Sequence, residues 1–156
     1  MYQKIMVPLD GSKLAECVLP HVETVAKGCE SPEVLLVQAV EPIAIPYGRE
    51  MATIASMEQL KAFEAHHRAD AEKYLKETVA RLSQAGIKAR ADVITGKAAE
   101  ALVDFANKND VDLLVIATHG RSGISRWVWG SVADRLLRSI CVPVFMVRAP
   151  GCGLNP

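Results

Sequence analysis

Apolar and polar positions change rhythm in blocks along the whole chain. Ile5-Met-Val-Pro-Leu9 is a short apolar run. From Leu14 to Lys27 the period becomes helical, with Leu14, Cys17, Val18, His21, Val22 and Val25 at three-to-four spacing. Pro20 falls inside that pattern, where its missing N–H and its ring predict a kink or a restart. Val34–Val40 reads as a second strand. Residues 41 to about 56 are irregular and carry Pro42, Pro46 and Gly48, a connection long enough to be a lid or a mobile flap. A long helix is predicted from Met57 to Gln84, its apolar face running through Leu60, Phe63, His67, Ala71, Tyr74, Leu75, Thr78 and Leu82, with Gly86 ending it. On that face His67 is expected to be a partly buried packing residue.

Lys88–Ile94 is a third strand with alternating character, and Gly96 opens a helix over Lys97–Asn107. An Asn109-Asp110 turn leads to a fourth, continuously apolar run, Val111–Ala117. A helical pattern over Val132–Arg138 and a fifth strand over Val142–Val147 complete the chain. Five strands separated by helices predict a single α/β domain whose parallel sheet is covered on both faces. In such sheets ligands sit beyond the carboxyl ends of the strands, where connections diverge. Two loops qualify: Pro8-Leu-Asp-Gly-Ser12 after the first strand, and the glycine-bearing stretch after the fourth.

The stretch from Ile116 to Ser131 carries most of the chemistry. A buried strand feeds a loop containing Gly120, Gly123 and Gly130, and a helix follows at once. Glycines let the backbone approach a ligand closely, and the free N–H groups of the first helical turn face an anion. Arg121 and Arg126 make the loop basic, so it reads as a phosphate cradle. Each residue also has a purely structural reading. Asp10 before Gly-Ser is a turn former or helix cap as well as a ligand contact. Ser131 with Asp134 reads as a capping box, which leaves other first-turn N–H groups open. Trp127 and Trp129 suit packing of the loop against the body or a partner subunit. His119 suits a backbone hydrogen bond. His66 and His67 are adjacent on a helix, point about 100° apart and are poorly placed to hold one ion. His21 is a helix residue with no partner in view.

Length and charge narrow the class. The chain has 156 residues, half of them hydrophobic and 23% charged, enough for one domain with a real core. Lys plus Arg and Asp plus Glu both count 18, which argues against nonspecific binding to DNA or acidic membranes. The start has no signal-peptide pattern and no apolar run is long enough for a bilayer, so cytoplasm is the expected location. Residues 1–149 are expected to form the domain and 150–156 a flexible tail. Cys17, Cys29, Cys141 and Cys152 fit neither CxxC nor zinc spacing. Cys17 and Cys141 are expected to be reduced core thiols, with Cys152 in the tail.

Several activities lack their residues. Gly96-Lys97 is followed by Ala98, not Ser or Thr, so there is no P-loop. Gly120-Arg-Ser-Gly123 is not a G-x-S-x-G nucleophile elbow. No carboxylate pair, metal cluster or nucleophile with its base converges, so efficient turnover is not indicated.

Three separated blocks resemble the universal stress protein family. Ile5-Met-Val-Pro-Leu-Asp-Gly-Ser12 is similar to its first strand and turn, and Val142-Pro-Val-Phe-Met-Val-Arg148 to its closing strand. The loop is similar to its nucleotide motif G-x2-G-x9-G-[S/T], with Gly120, Gly130 and Ser131 in place and Ala117 where the first glycine would stand. The resemblance covers about the whole chain. It implies an adenine-nucleotide α-hydrolase-like fold with strand order 3-2-1-4-5, a homodimer paired through the last strand (Val142 to Val147), and binding of ATP or AMP. It implies that Pro8 and Asp10 line the adenosine end, that Ala39 offers its backbone to adenine, and that Ile116 and Ala117 flank the ribose. Gly120, Gly130, Ser131 and Val132 would hold the phosphates, with Arg121 beside them. Any Mg²⁺ would be held mainly by the phosphates and water. The implied role is a stress-response or signalling module with a protein partner. A slow ATPase, or a structural dimer in which Ala117 blocks the site, are the alternatives.

Overall fold

A computed structural model describes residues 1–30, 32–42, 54–118 and 131–148, with the backbone alone at 54–56. The elements are β1 (Lys4–Pro8), a 3₁₀ turn (Ala15–Val18), α1 (Leu19–Lys27), β2 (Glu33–Val40), α2 (Ile54–Gln84), β3 (Ala89–Thr95), α3 (Ala98–Lys108), β4 (Leu113–Ala117), α4 (Ser131–Ser139) and β5 (Val144–Val147). They form one α/β domain around a five-stranded parallel sheet in the order β3-β2-β1-β4-β5.

The three inner strands are the three continuously apolar runs. Val34 to Val37 of β2 and all of β4 are buried, as expected for strands covered on both faces. Period-two alternation sends Ile5, Val7, Val34, Leu36 and Val115 to one face, where they pack with α1 and with Leu75 and Leu82 of α2. Met6, Leu35, Val37, Leu114 and Ile116 go to the other, against Leu102 of α3 and Leu136 of α4. The outer strands β3 and β5 are only partly covered.

Local chemistry sets several boundaries. Pro20 restarts the helix: a 3₁₀ turn precedes it and it occupies the first turn of α1, where its missing N–H is not needed. Gly86, at φ +79°, closes α2: its N–H reaches the Ser83 carbonyl at 3.0 Å, and the Ile87 N–H reaches Leu82 at 3.0 Å. The Asn109-Asp110 turn is present, with Asp110 in the left-handed region at φ 51°. Strands β4 and β5 each start two residues later than their apolar runs (Leu113 against Val111, Val144 against Val142).

The long helix departs from its predicted face. It has 31 residues, about 46 Å at 1.5 Å per residue. Its longest neighbouring strand, β2, has 8 residues, about 26 Å. The helix therefore outruns the sheet. Ala71, Leu75, Thr78 and Leu82 are buried, but Phe63 is 52% exposed and His67 is exposed too. His67 is thus not a buried packing residue; its ring lies 4.2 Å from that of Phe63. Cys141 is likewise exposed, because α4 has ended before it, whereas Cys17 is half-buried against the α1 side of the core. His21 does find a neighbour, the Phe145 ring of β5 at 5.9 Å. Among the described residues no helix is long and apolar enough to cross a membrane.

Candidate functional site

The site is built from the chain's exits at the carboxyl ends of β1 and β4. Strand pairing continues briefly beyond β1, where Leu9 N–H donates to the Val37 carbonyl at 2.9 Å. The chain then turns at Asp10, whose Oδ1 accepts from Ser12 N–H at 2.9 Å, with Gly11 at φ +80°. Ser12 Oγ accepts at 3.1 Å from the N–H of Ala15, the first residue of the 3₁₀ turn. One carboxylate oxygen of Asp10 thus forms the turn. The structural reading of this residue is realised, and Pro8 stands half-buried just before it.

Ala39 lies near the end of β2, opposite Ile94 of β3. In a parallel ladder, residues two apart turn their peptide groups the same way. The Val37 carbonyl faces β1, so the Ala39 backbone faces the same side, beyond the point where β1 has turned away at Asp10.

Ile116 and Ala117 close β4 on opposite faces. Ile116 packs in the cluster beneath α3 and α4, together with half-buried Val132 and Ala39. Ala117, 6% exposed, packs on the α1 side with Val7, Leu9 and Ala15. Its methyl group therefore points away from α4. Thr118 N–H continues the ladder to the Val147 carbonyl at 2.9 Å. Gly120, Arg121 and Gly130 lie outside the described residues, as do His119, Arg126, Trp127, Trp129, Cys152, most of the predicted flap and the tail beyond Arg148.

Helix α4 is described from Ser131 onward, and its Asp134 carboxylate pairs with Arg138 at 3.1 Å. The Arg138 guanidinium pKa is raised by this carboxylate's hydrogen bond and charge. Ser131 is exposed and Val132 half-buried. The fold thus brings Ala39, Ile116 and Val132 to one face of the sheet, beneath the α4 start, and Pro8 and Asp10 to the neighbouring strand end. It separates the Ala117 side chain from them.

Two residues near these loops carry buried polar atoms to which the sequence assigned no chemistry. Gln38 interrupts an otherwise apolar strand, and Tyr74 sits on the inner face of α2 with its hydroxyl buried. A polar residue inside the Val34–Val40 run was the available signal. A cleft beside them reaches Gly11 and Ala39.

The arrangement defines a doubly wound α/β protein whose switch point lies between β1 and β4. Residues 1–148 match the universal stress protein family, and the chain belongs to it. It is 28% identical to the universal stress protein MJ0531 of Methanocaldococcus jannaschii over 153 residues, covering 96% of this chain and 84% of that one. Among solved structures it is similar to the protein MJ0577 of the same organism, with TM-score 0.82 and 25% identity over 100% of this chain and 99% of that one. A universal stress protein in complex with cAMP matches at TM-score 0.67 and 22% identity, covering 95% of this chain and 98% of that one. A family protein from Arabidopsis thaliana with AMP bound matches at 0.62 and 13%, covering 94% and 92%.

Proposed function

We propose that this universal stress protein binds an adenine nucleotide, ATP or AMP, across the carboxyl ends of β1 and β4 and acts as a stress-response or signalling module in the cytoplasm. The observation that carries the reading is the start of α4 at Ser131, beside the switch point of the sheet. In this reading the N–H groups of the first turn of α4, which a helix leaves without intrahelical partners, face the phosphates. Pro8 and Asp10 contact adenosine in this reading, and the Ala39 backbone reads adenine. Ile116 and Ala117 border the ribose. Gly120, Arg121, Gly130, Ser131 and Val132 surround the phosphates, which hold any Mg²⁺. Two family members of known structure hold cAMP and AMP, which supports an adenine ligand.

Ala117 does not argue for a blocked site, because its methyl group is packed on the sheet face opposite α4. A homodimer through β5 is part of the proposal: Phe145 on that edge strand is 40% exposed, an apolar residue suited to a second copy. Sedimentation of wild type against Phe145→Glu tests it, with a shift to monomer expected.

Trp127 and Trp129 sit inside the motif spacer, so their fluorescence reports on the cradle. Titration with millimolar ATP and Mg²⁺, paralleled by calorimetry, is expected to saturate; no binding by either method refutes the nucleotide reading. Gly130→Val should weaken affinity about tenfold or more by blocking charge-assisted contacts to phosphate. Phosphate release faster than about 1 s⁻¹, the low end for typical enzymes, would favour an ATPase over a sensor.

A further inference from the structure

Strand β3 forms the edge of the sheet opposite β5, and no described strand lies beyond it. Its pairing with β2 fixes which way its backbone groups point. Val34 N–H donates to the Lys88 carbonyl at 2.9 Å, and Gly96 N–H donates to the Val40 carbonyl at 3.1 Å. Peptide groups alternate sides along a strand, so Arg90, Asp92 and Ile94 address β2. Ala89, Ala91, Val93 and Thr95 therefore turn their N–H and C=O groups outward. Such a row is a template for another strand.

One side chain of α2 lies across this edge. Arg68 donates through Nη2 to the Val93 carbonyl at 3.1 Å and through Nη1 to Thr95 Oγ1 at 3.3 Å. Its Nε donates to the Glu72 carboxylate at 3.2 Å, one helical turn on, which steadies the fork. The guanidinium thus holds an outward carbonyl that an added strand would need.

The sequence of β3 is complementary to itself. In an antiparallel pair of two copies centred on Ala91, Ala89 of each exchanges backbone hydrogen bonds with Val93 of the other. Arg90 then stands directly opposite Asp92 of the second copy, and Asp92 opposite its Arg90. Both side chains leave the sheet on the face away from α2, since Ala89, Ala91 and Val93 pack on the α2 side. They already meet within one chain, Arg90 Nε to Asp92 Oδ2 at 3.0 Å. Opposite charges across such a pair favour it, and like charges oppose it.

We propose that the outer edge of β3 is a docking surface for the same edge of a second copy, and that Arg68 keeps it closed. The guanidinium competes with the incoming Ala89 N–H for the Val93 carbonyl. This surface rests on neither the nucleotide reading nor the pairing through β5.

Sedimentation over a concentration series tests it, with every chain carrying Phe145→Glu so that β5 does not contribute. Arg68→Ala, at a side chain 49% exposed, is expected to add a concentration-dependent dimer, with slowed amide exchange at Ala89, Ala91 and Val93. Adding Ala91→Pro removes an outward N–H that β2 does not use, and should abolish that dimer. Adding Arg90→Asp to Arg68→Ala should abolish it too, because carboxylates then face each other. Adding Asp92→Arg as well should restore it. Unchanged mass in Arg68→Ala, association that persists with Ala91→Pro, or a charge exchange that fails to restore the dimer each overturns the proposal. A Phe145→Glu chain that stays dimeric counts against the β5 reading alone, since the comparison is between chains with and without Arg68.

Discussion

At the amino-terminal end of the strands, polar groups tie the chain together. Asp112, just before β4, accepts from Gln3 N–H at 2.7 Å and Lys4 N–H at 3.1 Å. Lys4 Nζ donates to the Asn109 carbonyl at 2.7 Å, and Arg90 reaches the Asn109 side chain at 2.7 Å. These contacts join β1, β3 and the turn before β4. The carboxyl-terminal end is built differently. Asp10 and Ser12 spend hydrogen bonds on their own turn, Gln38 and Tyr74 keep buried atoms unpaired, and α2 extends past the sheet. One end of a parallel sheet can be closed for stability because the other end carries the loops that bind.

Substitutions can break this contrast, or sharpen it. The largest effect is expected where α2 still covers the sheet. Leu75, fully buried, should cost about 2–5 kcal/mol on truncation to alanine, measured by urea unfolding. Asp112→Ala comes next, at about 1–3 kcal/mol, because it strands two backbone donors. It should leave nucleotide affinity unchanged; a parallel loss of binding would mean the two ends are coupled. Phe63→Ala, on the overhang, should change stability by no more than about 0.5 kcal/mol. A cost as large as that of Leu75→Ala would show that the overhang is part of the folded core.

The smallest effect over the accessible range is alkaline. Tyr74 has a folded pKa raised above its ordinary value of 10.0, first by burial and then by the Glu16 carboxylate, which stands outside hydrogen-bond geometry while Arg81 holds it at 3.0 Å. Its contribution to stability is complete below pH 10 and declines as pH rises above that, since the unfolded chain then releases the proton more readily. Tyr74→Phe should flatten this part of the profile. The tyrosinate absorbance lost on Tyr74→Phe should belong to a titration above the ordinary tyrosine value.

Much of the fold was legible because period and burial coincide. Val34–Val40 and the apolar run ending at Ala117 read as strands once helical patterns separated them, and their burial fits inner places in the sheet. Pro20 and Gly86 act through their own backbone geometry, so their effects were local and readable. The apolar face of α2 misled at Phe63 and His67 because helical period says which side faces inward and nothing about how far the sheet extends. Cys141 misled for a related reason: an apolar neighbourhood in sequence is not a covered one in space.

The candidate site divides in the same way. The glycine spacing, the Pro8-Leu-Asp10 turn and the start of α4 are visible as residue order, because each is made within a few residues. Other facts needed the assembled sheet. Glu41 reaches Ala98 across the strand ends. The Ala117 methyl turns from the α4 side only because strand alternation places it there. Gln38 and Tyr74 meet at one cleft although 36 positions separate them. Sequence by itself determined the elements, their order and the local turns, through short-range sterics and hydrophobic period. Tertiary structure alone decided which face each strand end presents, how far α2 projects, and which polar atoms are left without a partner, because those depend on the packing of segments distant along the chain.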